Sequence, residues 1–117
     1  MRITRIVPNI ATQDLARAKR FYRDILGLNV AMDMGWITTF EAHAVMHPQL
    51  SVAAHGGSAM AVPDCTIEVD DLQQALRRFQ EAEIVIEYGP ITEPWGVKRF
   101  YVRDPFGRLL NIMQHSR

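Results

Sequence analysis

Cysteine is almost missing from this chain. Cys65 stands alone, so neither an internal disulfide framework nor a CxxC metal site can form. No apolar run approaches the length that spans a bilayer. No long basic run occurs either. The 13 basic and 13 acidic residues cancel to a formal net charge of zero, which argues against nucleic acid as a partner. Gly56-Gly57 lacks the phosphate-binding loop pattern. Ser51, Ser58 and Cys65 have no motif context for a nucleophile. No charged-then-apolar leader opens the sequence, so a cytoplasmic protein is expected. What remains is 117 residues, enough for one domain with a real core.

The clearest positive feature is Asp104-Pro105-Phe106-Gly107 between two apolar, β-branched and aromatic runs. Val97–Arg103 precedes it and Arg108–Gln114 follows. Proline presets φ and glycine tolerates φ > 0, so a C-terminal hairpin is predicted. Upstream, one order of elements occurs twice. Ile3–Ala11 reads as a strand, with Pro8 marking an edge, bulge or hinge. Asp14 is placed to cap a helix over 15–26, with Leu15, Ala18, Tyr22, Ile25 and Leu26 on one face and Gly27 as its stop. Extended runs follow at Val30–Met34, Trp36–Ala42 and Gln49–His55, with a loop at His43–Pro48. A break at Gly56-Gly57-Ser58 leads into a linker ending at Pro63. The order then restarts with strand Cys65–Asp70 and an Asp71-capped helix over 72–82 that buries Leu72, Ala75, Leu76 and Phe79. Further strands are predicted at Val85–Tyr88 and in the terminal hairpin. At a constant offset of 57 (Asp14 to Asp71), Ile10 matches Ile67, Leu15 matches Leu72 and Tyr22 matches Phe79. This coincidence favours a tandem duplication.

Two stretches carry a resemblance. Ala11-Thr12-Gln13-Asp14-Leu15 leads into Arg20-Phe21-Tyr22-Arg23-Asp24-Ile25-Leu26-Gly27-Leu28. Glu93-Pro94-Trp95-Gly96-Val97 leads to Arg103-Asp104-Pro105-Phe106-Gly107-Arg108. Together they make the chain resemble the vicinal oxygen chelate superfamily of glyoxalase I, bleomycin-resistance proteins and extradiol dioxygenases. The resemblance implies an α+β fold: tandem βαβββ modules forming curved mixed sheets around a cleft. It also implies a single domain of two modules, about 1–57 and 64–117, and a homodimer. In the family's metalloenzymes the cleft holds a divalent ion on His, Glu or Gln ligands. Here the four corresponding positions fall on Val7, Ser51, Asp64 and Asn111. Valine cannot coordinate, and neutral Ser and Asn are poor ligands for such ions. No metal and no cofactor are therefore expected.

Strand parity says what the cleft would present. If Asn111 faces inward, so do Leu109 and Met113, while Leu110 and Ile112 pack on a helix. Asn9, Asp64 and Glu68 share the inward parity. Trp36, Phe40, Trp95 and Tyr101 are the aromatic candidates for its walls or rim. Asp64 and Glu68 form a mild acidic pair, so a cationic or hydrogen-bonding ligand is expected, an aromatic one if it stacks on Trp36 or Trp95, with Asp64 bonded to Asn111 or to a cationic ligand group. The reading is a metal-independent small-molecule-binding protein like the bleomycin-resistance proteins, with no nucleic-acid or membrane partner. Two alternatives stay open: a metal-dependent lyase, isomerase or dioxygenase with a non-standard site rebuilt through His43, His47 or His55, and a scaffold with a vestigial cleft.

Overall fold

A computed structural model of the chain describes residues 1–44 and 47–116. Val45 and Met46, inside the expected His43–Pro48 loop, lie outside the described residues. The elements are β1 (Ile3–Ala11), α1 (Leu15–Lys19), a π-helical continuation (Arg20–Ile25), β2 (Asn29–Asp33), β3 (Ile37–Glu41), β4 (Gln49–Ala53), β5 (Cys65–Val69), α2 (Leu72–Glu81), β6 (Tyr88–Glu93), β7 (Val97–Arg103) and β8 (Leu109–His115). The fold class is α+β. Among the described residues no helix is long and apolar enough to cross a membrane.

The chain divides into two compact units: residues 7–62, here the N-terminal unit, and residues 1–6 with 63–117, the C-terminal unit. Strand β1 contributes to both, and Pro8 falls just past the division. Proline has no N–H to give a ladder, so it suits the point where a strand changes partners.

In the N-terminal unit the strand order is β2, β3, β4, β1. Strand β1 runs parallel to β4, and β3 pairs antiparallel with both β2 and β4. Asp14 caps α1 as expected, its Oδ1 accepting from Arg17 N at 3.0 Å. Phe40, Val52 and Ala18 form the core, with Leu15, Tyr22 and Leu28 packed around them. The helix departs from expectation after Lys19. Leu26 N donates to Phe21 O, a five-residue closure that puts an extra residue into the turn. The apolar face therefore rotates away from the sheet. Ile25 and Leu26, expected inside, are 68% and 61% exposed.

In the C-terminal unit the order is β1, β5, β8, β7, β6. Strands β5 and β8 are parallel, and β6, β7 and β8 are antiparallel neighbours. Asp71 caps α2 through Gln74 N at 3.0 Å. Gln114 ties the end of β8 to the same helix start: its Oε1 accepts from Leu72 N and its Nε2 donates to Asp70 O. Leu72, Ala75 and Leu76 pack on Val69, Phe100, Val102 and Ile112, with Leu110 beside them, as parity predicted. At the hairpin, Asp104 Oδ1 accepts from both Phe106 N and Arg108 N at 2.9 Å, and Gly107 takes φ +80°. One strand is displaced from its expected place: Val85–Tyr88 was predicted and Tyr88–Glu93 is found. In the fold, Gly89 is what allows the pairing, because a Cβ there would lie 2.5 Å from Arg99 O.

Candidate functional site

Helix α2 takes one face of the C-terminal sheet. The opposite face carries nearly all of this unit's buried polar chemistry. Registers set its rows: Thr66 lies beside Asn111 and Asn111 beside Tyr101, while Glu68 lies beside Met113 and Met113 beside Arg99. Asn111 is 8% exposed. Its Nδ2 donates to Thr66 Oγ1 at 3.2 Å, which orients the amide. Its Oδ1 is buried with no hydrogen-bond partner. An acceptor left in that state costs about 1–3 kcal/mol.

Arg99 lies one row away, almost fully buried. Its Nε and Nη2 reach Glu93 Oε2 at 2.8 and 2.6 Å, and its Nη1 donates to Tyr101 Oη at 2.9 Å. Tyr88 Oη also donates to Glu93 Oε2, at 3.1 Å. The guanidinium carbon lies 4.9, 5.0 and 5.3 Å from the ring centres of Tyr101, Trp95 and Tyr88. Three ring faces and a buried carboxylate thus replace the water that the cation has lost. Burial holds the Tyr101 hydroxyl above the usual tyrosine range, against the pull of Arg99. The β6–β7 turn makes the pairing possible: Glu93 ends β6, Gly96 takes φ +90°, and Gly96 N returns to Glu93 O.

The carboxylates expected to form an acidic pair are both engaged. Glu68 Oε1 meets Arg5 Nε at 2.8 Å, and its Oε2 lies 2.9 Å from His115 Nδ1. Asp64 is exposed and bonds to the backbone of β8 rather than to Asn111, its Oδ2 accepting from Leu109 N at 2.9 Å. Of the nine residues predicted to bind ligand, Glu68, Tyr101, Asn111 and Met113 come together on this face, with Trp95 over Arg99. Arg99, Glu93, Tyr88, Arg5 and His115 were missed. The available signal was parity, since Arg99 lies two residues from Tyr101 in the predicted strand Val97–Arg103 and so shares its face.

The other predicted residues lie in the N-terminal unit. Asn9 stands opposite Ser51, whose hydroxyl is 2.7 Å from Thr39 Oγ1. Phe40 is fully buried in the core beneath α1, its ring 5.4 Å from that of Tyr22. Trp36 is half-buried and stacks on His55 at 5.1 Å. His55 Nδ1 accepts from Gly57 N, which puts the proton of the neutral ring on Nε2. His43 and His47 are exposed, with ring centres 5.9 Å apart. A groove of about 410 Å³ opens on the helix side, between Ile10, Arg17, Phe21 and Tyr22, and touches none of the predicted residues.

The profile of the Glyoxalase/Bleomycin resistance protein/Dioxygenase superfamily matches residues 2–112. The chain belongs to that superfamily. No curated protein matches it by sequence. Among solved structures, a Legionella pneumophila protein described as an NAD-dependent benzaldehyde dehydrogenase superposes with a TM-score of 0.79 at 17% identity, covering 96% of this chain and 100% of that one. Methylmalonyl-CoA epimerase of Streptomyces coelicolor gives 0.73 at 15% identity, covering 99% and 100%. A superfamily member from Vibrio splendidus gives 0.65 at 21% identity, covering 94% and 97%. At such identities the likeness is one of fold alone.

Superfamily membership raises the question of a metal, and the residues do not fit one. In the N-terminal unit the relevant positions are Val7, which has no donor atom, and Ser51, whose hydroxyl is joined to Thr39. In the C-terminal unit they are Asp64, bonded to Leu109 N, and the neutral amide of Asn111. Among the described residues no group of three or more His, Cys, Asp and Glu gathers as a metal site would require.

Proposed function

We propose that this superfamily member binds a small organic molecule without a metal, in the manner of bleomycin-resistance proteins, and sequesters it without bond chemistry. The observation that carries this reading is the donor set. Where the resemblance puts metal ligands, the chain has an apolar side chain, a hydroxyl, a backbone-bonded carboxylate and an amide. Tyr101 lies beside the amide in register, Met113 is two residues along the same face, and Trp95 lies over Arg99, aromatic and thioether groups that suit an organic ligand. A homodimer in the cytoplasm belongs to the same proposal, and light scattering giving only monomer at micromolar concentration removes the dimer from it.

Elemental analysis of protein purified without added metal or chelator tests the main claim. The expected result is no stoichiometric Ni, Zn, Fe or Mn, alongside thermal stabilisation by members of an aromatic ligand panel. A stoichiometric ion that survives dialysis against a chelator overturns the reading. His43, His47 and His55 would then be the first residues to replace.

A further inference from the structure

The polar groups on the C-terminal face decide which ligands it favours, an inference that rests on the binding reading above. Glu68 has a cationic or imidazole partner on each oxygen, Arg5 on one and His115 on the other. Glu93 is buried against Arg99 and Tyr88. Asp64 gives an oxygen to Leu109 N and is exposed, where water screens its charge. A cationic ligand would lose its hydration here and meet carboxylates already matched, with Arg5 and Arg99 beside them. An anionic ligand fares no better. The buried guanidinium is held by Glu93, and the orphan atom on the face is an acceptor.

That atom is Asn111 Oδ1. Among the described residues of this unit, it is the one buried side-chain polar atom without a hydrogen-bond partner. Thr66 holds the other end of the amide, so the oxygen is the end that remains to be satisfied. Met113, two residues along the same face, is adaptable enough to yield to an incoming ring. We propose that the ligand is an uncharged, flat molecule that donates an N–H or O–H hydrogen bond to Asn111 Oδ1. Of the two ligand types expected from sequence, cationic or hydrogen-bonding, this keeps the second, because Asp64 and Glu68 are already engaged.

Four probes of one shape test the proposal on the full isotope-labelled chain: benzamide (neutral donor), N,N-dimethylbenzamide (neutral, no donor), benzamidinium (cation) and benzoate (anion). Affinities come from chemical-shift titration, with the Asn111 side-chain amide followed directly. Benzamide should bind about tenfold more tightly than each of the others, the scale of one hydrogen bond in a dry site. Asn111→Leu, similar in size, should erase the preference. Asn111→Asp should turn it toward benzamidinium, and it serves alone if the leucine variant fails to fold. Wild-type protein that prefers benzamidinium or benzoate, or a benzamide preference that survives in a folded variant, overturns this inference and leaves the binding reading intact. If no probe shifts any resonance, the binding reading fails with it.

Discussion

The two units run through the same order of elements, yet they bury different chemistry. In the N-terminal unit the buried polar residues are Thr38, Thr39 and Ser51, all hydroxyls. In the C-terminal unit they are Glu93, Arg99 and Asn111, a full ion pair and an amide. The helices differ as well. Helix α2 lays Leu72, Ala75 and Leu76 on its sheet, whereas α1 buries Ala18 alone and its π-helical continuation buries nothing. The common template is set by caps, turns and alternation, and it tolerates either kind of interior. What a unit can recognise is written on the sheet face away from its helix, where the template imposes only parity.

Removing Arg99 should break this contrast most severely. Arg99→Ala leaves the Glu93 carboxylate buried without its cation and should cost about 3–5 kcal/mol in urea unfolding. The counterpart in the N-terminal unit is Ser51→Ala, which removes one neutral hydrogen bond to Thr39 and should cost about 1 kcal/mol. Equal losses in the two variants would mean that the ion pair is no more than another polar contact.

The smallest effect sharpens the contrast and is read only at alkaline pH. Burial raises the Tyr101 pKa, so the folded protein favours the protonated phenol. The resulting stability is fully present below the ordinary tyrosine value of about 10 and is lost as pH rises through the folded value. Phenolate absorbance should therefore show a late-titrating component that Tyr101→Phe removes. An identical titration in the two proteins would show that burial does not govern this hydroxyl.

Local chemistry was the legible part of the sequence. Asp14 and Asp71 cap their helices within three residues, and Asp104 closes its turn within four, so neighbours along the chain suffice to predict them. Parity was legible too: Ile112 meets α2 and Asn111 does not. Less local features were misread. Ile25 and Leu26 were put inside because the 3.6-residue period was carried past Lys19, where the turn widens. Strand β6 was placed too early, since the close approach of Gly89 to Arg99 O is made between strands and no local pattern shows it.

The sequence by itself determined the superfamily template, the capped helices and the terminal hairpin. All of these follow from residue type and short spacing. Only the tertiary structure decided that Arg99 lies among three aromatic rings against Glu93, that Arg5 and His115 take up Glu68, and that Asp64 bonds to Leu109 while Asn111 Oδ1 is left over. The physical reason is that alternation tells which face a strand residue occupies, whereas partners on that face are chosen by register between strands. Arg5 and Glu68 are 63 positions apart and Thr66 and Asn111 are 45 apart, distances over which no local pattern specifies a contact.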